Sequence, residues 1–231
     1  MKKILALALI LILSSCSTLK NLGIEPTALE TITAVKEVLN SSAFRAVNTL
    51  RKLDKNGVDG FLPAELKPVL QSLKTLGLGK EIENVEKRIG TVSKLMANES
   101  AGIMEDAIKE VKFKDAVGIV VGGKSEATNV LRHAMYGSVK KRYSAKIEKE
   151  LGETEATEYW PIAASTYNIF AKKKVSGSLS DFMAERAVDA LFLTMEKEET
   201  AIRNDPKKLG KAVVTKVFDY YQKDQKRKRK G

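Results

Sequence analysis

Gly118-Ile119-Val120-Val121-Gly122-Gly123-Lys124-Ser125 decides the fold class, because it matches G-x-x-x-x-G-K-[ST] at every fixed position. A phosphate-binding loop would demand a strand before Gly118, a helix after Ser125 and an α/β domain around both. The residues between the glycines argue the other way. In a phosphate loop the apolar strand comes first and the loop bares its N–H groups, whereas Ile119, Val120 and Val121 put the apolar run inside the loop. No apolar strand ending in a Mg²⁺-binding aspartate follows, so the βαβ frame is missing. The stretch reads as a helix that stops at Gly122-Gly123 and restarts at Ser125, and we expect no nucleotide and no cofactor.

Working outward, the flanking segments carry apolar residues at threes and fours, the spacing of one helix face. Leu29, Ile32, Val35, Val38 and Leu39 lead into Phe44, Val47, Leu50 and Leu53. After the glycine-containing break 54–60, Leu66, Val69, Leu70, Leu73 and Leu76 mark another helix, and further helices are expected over 80–97 and 101–111. Residues 125–151 form a long basic helix in which Arg132, Lys140, Lys141, Arg142, Lys146 and Lys149 read as a solvated face. Residues 153–170 form a helix interrupted or kinked at Pro161. The most regular helix spans 181–202, with Phe182, Ala187, Val188, Leu191, Phe192 and Met195 as its buried stripe. Asp205-Pro206 is expected to cap and open a last helix packed through Val213, Val214, Val217, Phe218 and Tyr221. No stretch alternates as a strand does. The expectation is a single all-α domain of about eight helices over residues 27–222.

The N-terminus says where such a domain would work. Lys2 and Lys3 precede the apolar run Ile4 to Leu13, and Ser14, Ser15 and Cys16 close it. The run is far shorter than the ~20 residues a membrane-spanning helix needs, so it reads as an export signal that is removed. Leu13-Ser14-Ser15-Cys16 resembles the lipobox of bacterial lipoproteins, which implies a signal peptide over 1–15, a lipidated Cys16 and a tether over 16–26. Fully extended, that tether reaches at most ~35 Å. Ser17 stands where aspartate would retain a lipoprotein in the inner membrane, so the resemblance implies the outer membrane, facing the periplasm.

The chain holds 40 Lys and Arg against 29 Asp and Glu, a net charge of +11. That balance would suggest nucleic acid elsewhere, but the inferred compartment redirects it to anionic envelope components or an envelope protein. Lys223, Lys226, Arg227, Lys228, Arg229 and Lys230 crowd the end and read as a solvated basic tail, 223–231.

Candidate chemistry is sparse. His133 is the only histidine and Cys16 the only cysteine, so neither a histidine-rich metal site nor a disulfide can form, and no catalytic residue is assigned. Asp54, Asn56 and Glu65 fall at the first, third and twelfth places of a calcium loop, but Val58 takes a ligand position and Asp59 the glycine position, so a plain turn is expected and no metal. Glu198, Glu199 and Arg203 form an ionic cluster in which Glu199 and Arg203 stand four apart on one helix face. Trp160, Tyr167 and Phe192 are the candidates for an apolar pocket between helices.

The motifs in order carry a resemblance. Asp59-Gly60-Phe61, Leu76-Gly77-Leu78-Gly79, Asp115-Ala116, Gly122-Gly123, Ala127-Thr128, Leu131-Arg132, Tyr167-Asn168, Leu191-Phe192, Glu198-Glu199, Ile202-Arg203 with Pro206, and Lys216-Val217-Phe218 resemble the bacterial family called domain of unknown function 4197. Lys124 departs from it, so the lysine that completes the phosphate-loop pattern is no feature of the family. The resemblance implies an all-helical fold, frequent lipoprotein signals and no established activity. Together these readings lead us to expect a lipid-anchored binding or scaffold domain, with a carrier of an apolar ligand as the alternative and an enzyme behind both.

Overall fold

A computed structural model of the chain describes residues 24–53, 62 and 64–228. Among them every regular element is a helix, as the periodicity predicts. In chain order they are α1 (Ala28–Leu53), α2 (Leu66–Leu73), α3 (Gly79–Glu110), α4 (Ala116–Val121), α5 (Glu126–Leu151), α6 (Glu155–Phe170), α7 (Leu179–Asn204) and α8 (Ala212–Lys228). The export signal with Cys16, the calcium-like positions 54–59 and the last three residues lie outside the described residues.

The helix α7 is the axis of the domain. It packs along α5 on one side and α1 on the other, and Val188, Leu191, Phe192 and Met195 are fully buried there. The two ends of the domain meet, since α8 lies against α1, and α8 also packs on α4. The helix α3 crosses α1, α5 and α6, and α2 leans on α6. No helix among the described residues is long and apolar enough to cross a membrane.

Several local expectations change. The two helices expected over 80–97 and 101–111 are one, α3, because the polar break between them is satisfied inside the helix. There the Ser100 hydroxyl donates to the Met96 carbonyl at 2.7 Å and accepts from the Tyr143 hydroxyl at 2.6 Å. Asp205-Pro206 opens only a 3-10 turn, Pro206–Leu209, which ends at Gly210 with φ 70°, and α8 begins at Ala212. The basic run begins as helix, since α8 continues to Lys228, with Lys223, Lys226, Arg227 and Lys228 exposed. Leu29, Phe44 and Leu76 match the helical period yet are exposed.

The basic face of α5 is the largest departure, because it is not simply solvated. Arg132 pairs with Asp189 at 3.0 Å and Glu196 at 3.3 Å, and Lys140 with Glu185 at 3.4 Å, all on α7. Arg142 pairs with Glu110 at 2.6 Å and Lys146 with Glu99, both on α3. Each half-exposed pair is worth no more than ~1 kcal/mol, but together they set the register of α5 on its neighbours. Much of the positive charge of α5 is therefore turned inward.

Candidate functional site

Two places collect the chemistry that the sequence singles out. The first is the break between α4 and α5. A helix end leaves N–H or C=O groups bare, and two ends meeting at a glycine pair need outside partners for both sets. Glu199 on α7 supplies one set: fully buried, it accepts from the Ala127 N–H at 3.0 Å and the Thr128 N–H at 2.7 Å. Arg203, one turn later, donates from Nε to Glu199 at 2.6 Å. Its two terminal nitrogens donate to the carbonyls of Ile119 and Val120, each at 2.9 Å. The amide of Gln225 completes the set on the Val121 carbonyl at 3.0 Å.

The charges match the ends they meet. A carboxylate lies at the positive start of α5 and a guanidinium at the negative finish of α4. The start of α5, where a phosphate loop would hold its anion, is thus filled by a carboxylate of the same chain. Arg203 is only 9 % exposed and stacks 5.2 Å above the Phe218 ring, so α8 closes the junction.

The glycines of the motif serve the same closure. A Cβ on Gly122 would stand 2.8 Å from both Cγ of Glu126 and the Gly118 carbonyl. On Gly118 it would run into Asp115, whose carboxylate caps α4 by accepting from the Gly118 N–H at 2.7 Å. Glu198, the third member of the sequence cluster, is half-buried and makes none of these bonds.

The second place is a groove of about 630 Å³ beside α6, between α2, α7 and the loop 171–178. Val69, Tyr167, Phe170, Val175 and Phe182 give it an apolar floor. Lys172, Lys173, Lys174 and Arg186 stand around it with Glu65 and Glu185. The loop that walls it is held at fixed points. Asn168 donates to the Val175 carbonyl and accepts from the Val175 N–H, both at 2.8 Å, and the Trp160 indole donates to the Ser176 carbonyl at 3.0 Å.

Of the three expected pocket residues, only Tyr167 lines this groove. Trp160 is fully buried behind it, with its ring 4.5 Å from Phe182. Phe192 lies elsewhere, 6.3 Å from the Tyr136 ring, with the Arg132 guanidinium 5.8 Å above it. The ten residues from Phe182 to Phe192 carry the chain about 15 Å along α7 and about 80° around it, which removes Phe192 from the face that meets α6. Beside Phe192, burial pushes the Tyr136 hydroxyl up to about 12, helped by its hydrogen bond to Asp189 at 3.0 Å. Burial also pushes Tyr143 well above the usual tyrosine range. His133 is exposed, and no group of three or more metal-ligating side chains occurs among the described residues.

A family model described as Protein of unknown function (DUF4197) matches residues 25–219, nearly all of the folded domain. The chain belongs to the DUF4197 family. No curated protein and no solved structure matches it. Within this DUF4197 domain the two places divide the motif residues between them. Asp115, the glycine pair, Ala127-Thr128, Glu199 and Arg203 meet at the α4–α5 junction, and Tyr167-Asn168 builds the groove. The groove wall had no signal in composition or periodicity, since the partners of Asn168 are backbone groups of Val175.

Proposed function

We propose that the chain is an outer-membrane lipoprotein, acylated on Cys16 and facing the periplasm, whose helical domain acts by binding and not by chemistry. The anchor rests on Leu13-Ser14-Ser15-Cys16 behind the charged and apolar start of the chain. Two or three acyl chains at ~0.8 kcal/mol per buried methylene hold such a domain at a membrane for good.

One observation carries the binding half. Glu199 and Arg203, the strongest candidates for acid–base work, direct their hydrogen bonds at each other and at the backbone of residues 119–128. The groove beside α6 is by contrast an open concavity with an apolar floor, the usual form of a ligand site. The same groove favours a second reading, a carrier of an apolar ligand, over a pure scaffold.

Crosslinking in living cells of the native chain beside a Cys16→Ser variant, with mass spectrometry of the captured material, tests the proposal. The expected result is an acylated Cys16 and a defined envelope protein, wall fragment or lipid captured only by the anchored form. A Cys16 that carries no acyl chain, or capture indifferent to Cys16→Ser, sinks the lipoprotein reading. Lipid as the captured species selects the carrier.

A further inference from the structure

We infer that the groove between α6 and α7 is a site for a single-chain anionic amphiphile, its acyl chain laid along Tyr167, Phe170 and Phe182 and its headgroup held by Lys172 and Lys173. The inference deepens the binding reading above and rests on it.

The volume, about 630 Å³, falls inside the ~300–1,000 Å³ range of small-ligand sites. The apolar surface does not stop at the groove mouth: Phe170 is 83 % exposed and Ile169 70 %, side by side at the last turn of α6. These two side chains extend the apolar surface from the groove mouth, area that an acyl chain would remove from water.

Charge names the other end of the occupant. Four cations stand around the groove against two carboxylates, and one of these, Glu185, already faces Lys140 at 3.4 Å and Lys173 at 3.8 Å. Lys174 donates to the Asn168 carbonyl and so belongs to the wall, and Arg186 likewise has a partner within the chain. Lys172 has no ion-pair partner among the described residues, and Lys173 lies 79 % exposed beside it. Lys172, with Lys173 held only loosely by the shared Glu185, complements one anionic headgroup on one chain, where a neutral apolar ligand would leave Lys172 unused. The wall needs no rearrangement to receive it, because Asn168 and Trp160 already pin Val175 and Ser176.

The test uses the purified full chain and two probes below their micelle concentrations: a photoreactive palmitic acid, and a photoreactive lysophosphatidylglycerol. After irradiation the labelled peptides are mapped by mass spectrometry. We expect saturable labelling, one probe per chain, on peptides spanning 167–186, competed by unlabelled palmitate or lysophosphatidylglycerol and not by hexadecanol. The better competitor separates a free carboxylate from a phosphate headgroup as the natural source. The double variant Lys172→Glu/Lys173→Glu should lower saturable labelling by about tenfold. Phe170→Glu should lower it too, and Lys112→Glu should leave it unchanged, with helical circular dichroism intact in all three. Non-saturable labelling, label spread outside these peptides, equal competition by hexadecanol, or indifference to the lysine reversal overturns the site. Because this test needs no anchor, it can fail while anchored capture of another partner still succeeds.

Discussion

The α4–α5 junction and the α6–α7 groove use similar side chains to opposite ends. At the junction one carboxylate and one guanidinium are buried, and their hydrogen bonds serve helix ends whose own partners are missing. At the groove, Lys172 stands exposed beside an apolar floor without an ion-pair partner among the described residues, and Lys173 is held only at 3.8 Å by Glu185. Ion pairs that replace lost backbone bonds hold a fold; cations left at the rim of a concavity are available to a ligand. The difference is one of partners, and substitution can read it.

The harshest way to break the junction is Glu199→Ala, which strands the Arg203 charge and leaves the N–H groups of Ala127 and Thr128 without acceptors. We expect a loss of about 3–5 kcal/mol in urea unfolding, with Glu199→Gln costing less because one acceptor remains. A loss below about 1 kcal/mol from Glu199→Ala would show that the junction is not held this way. Next comes Gly122→Ala, whose Cβ meets Glu126 and the Gly118 carbonyl at 2.8 Å; a cost of about 1–3 kcal/mol is expected in the same assay.

A gentler probe is alkaline titration of the α5–α7 seam. Tyr136 is held neutral in the folded chain up to about 12, while in the unfolded chain it ionises near ~10. The unfolded state therefore loses its proton first, and the contribution of Tyr136 to stability, full below that point, is lost as pH rises through the folded value. Ultraviolet titration should show the ionisation of Tyr136 and Tyr143 above the ordinary phenol range, and Tyr136→Phe should flatten the alkaline loss of stability. The smallest effect is expected at the groove. Lys172→Glu/Lys173→Glu should change folding stability by no more than about 0.5 kcal/mol, the size typical of surface substitutions. A large loss there would erase the contrast and make the groove lysines structural.

The helical fold was legible because burial follows a period that the residues themselves display. Val188, Leu191, Phe192 and Met195 recur at threes and fours and are all buried in α7, as is Phe182 six residues earlier, while Ala187, expected in the same stripe, is only half-buried. The apolar loop residues 119–121 likewise announced a helix in place of a phosphate loop, and α4 is that helix. The junction was half legible: Glu199 and Arg203 stood out as a pair, but the spacing suggested only a pair that stabilises its own helix by ~0.3 kcal/mol. Their partners across the fold are amides and carbonyls, and a backbone group carries no letter by which a sequence could advertise it. The groove was hidden for the same reason, and the expectation that Phe192 lines it missed the rotation of α7 between Phe182 and Phe192.

The bridge from α7 to the glycine pair also orders events in time. Glu199 lies 71 residues beyond Thr128, and Arg203 lies 84 beyond Ile119. A chain emerging from its N-terminus therefore carries the ends of α4 and α5 bare until α7 arrives, and a truncation ahead of residue 199 has nothing to seal them. Maturation of the whole bundle waits on its last third, so a proteolytic nick near residues 122–124 should be easy in the nascent chain and hard in the finished one.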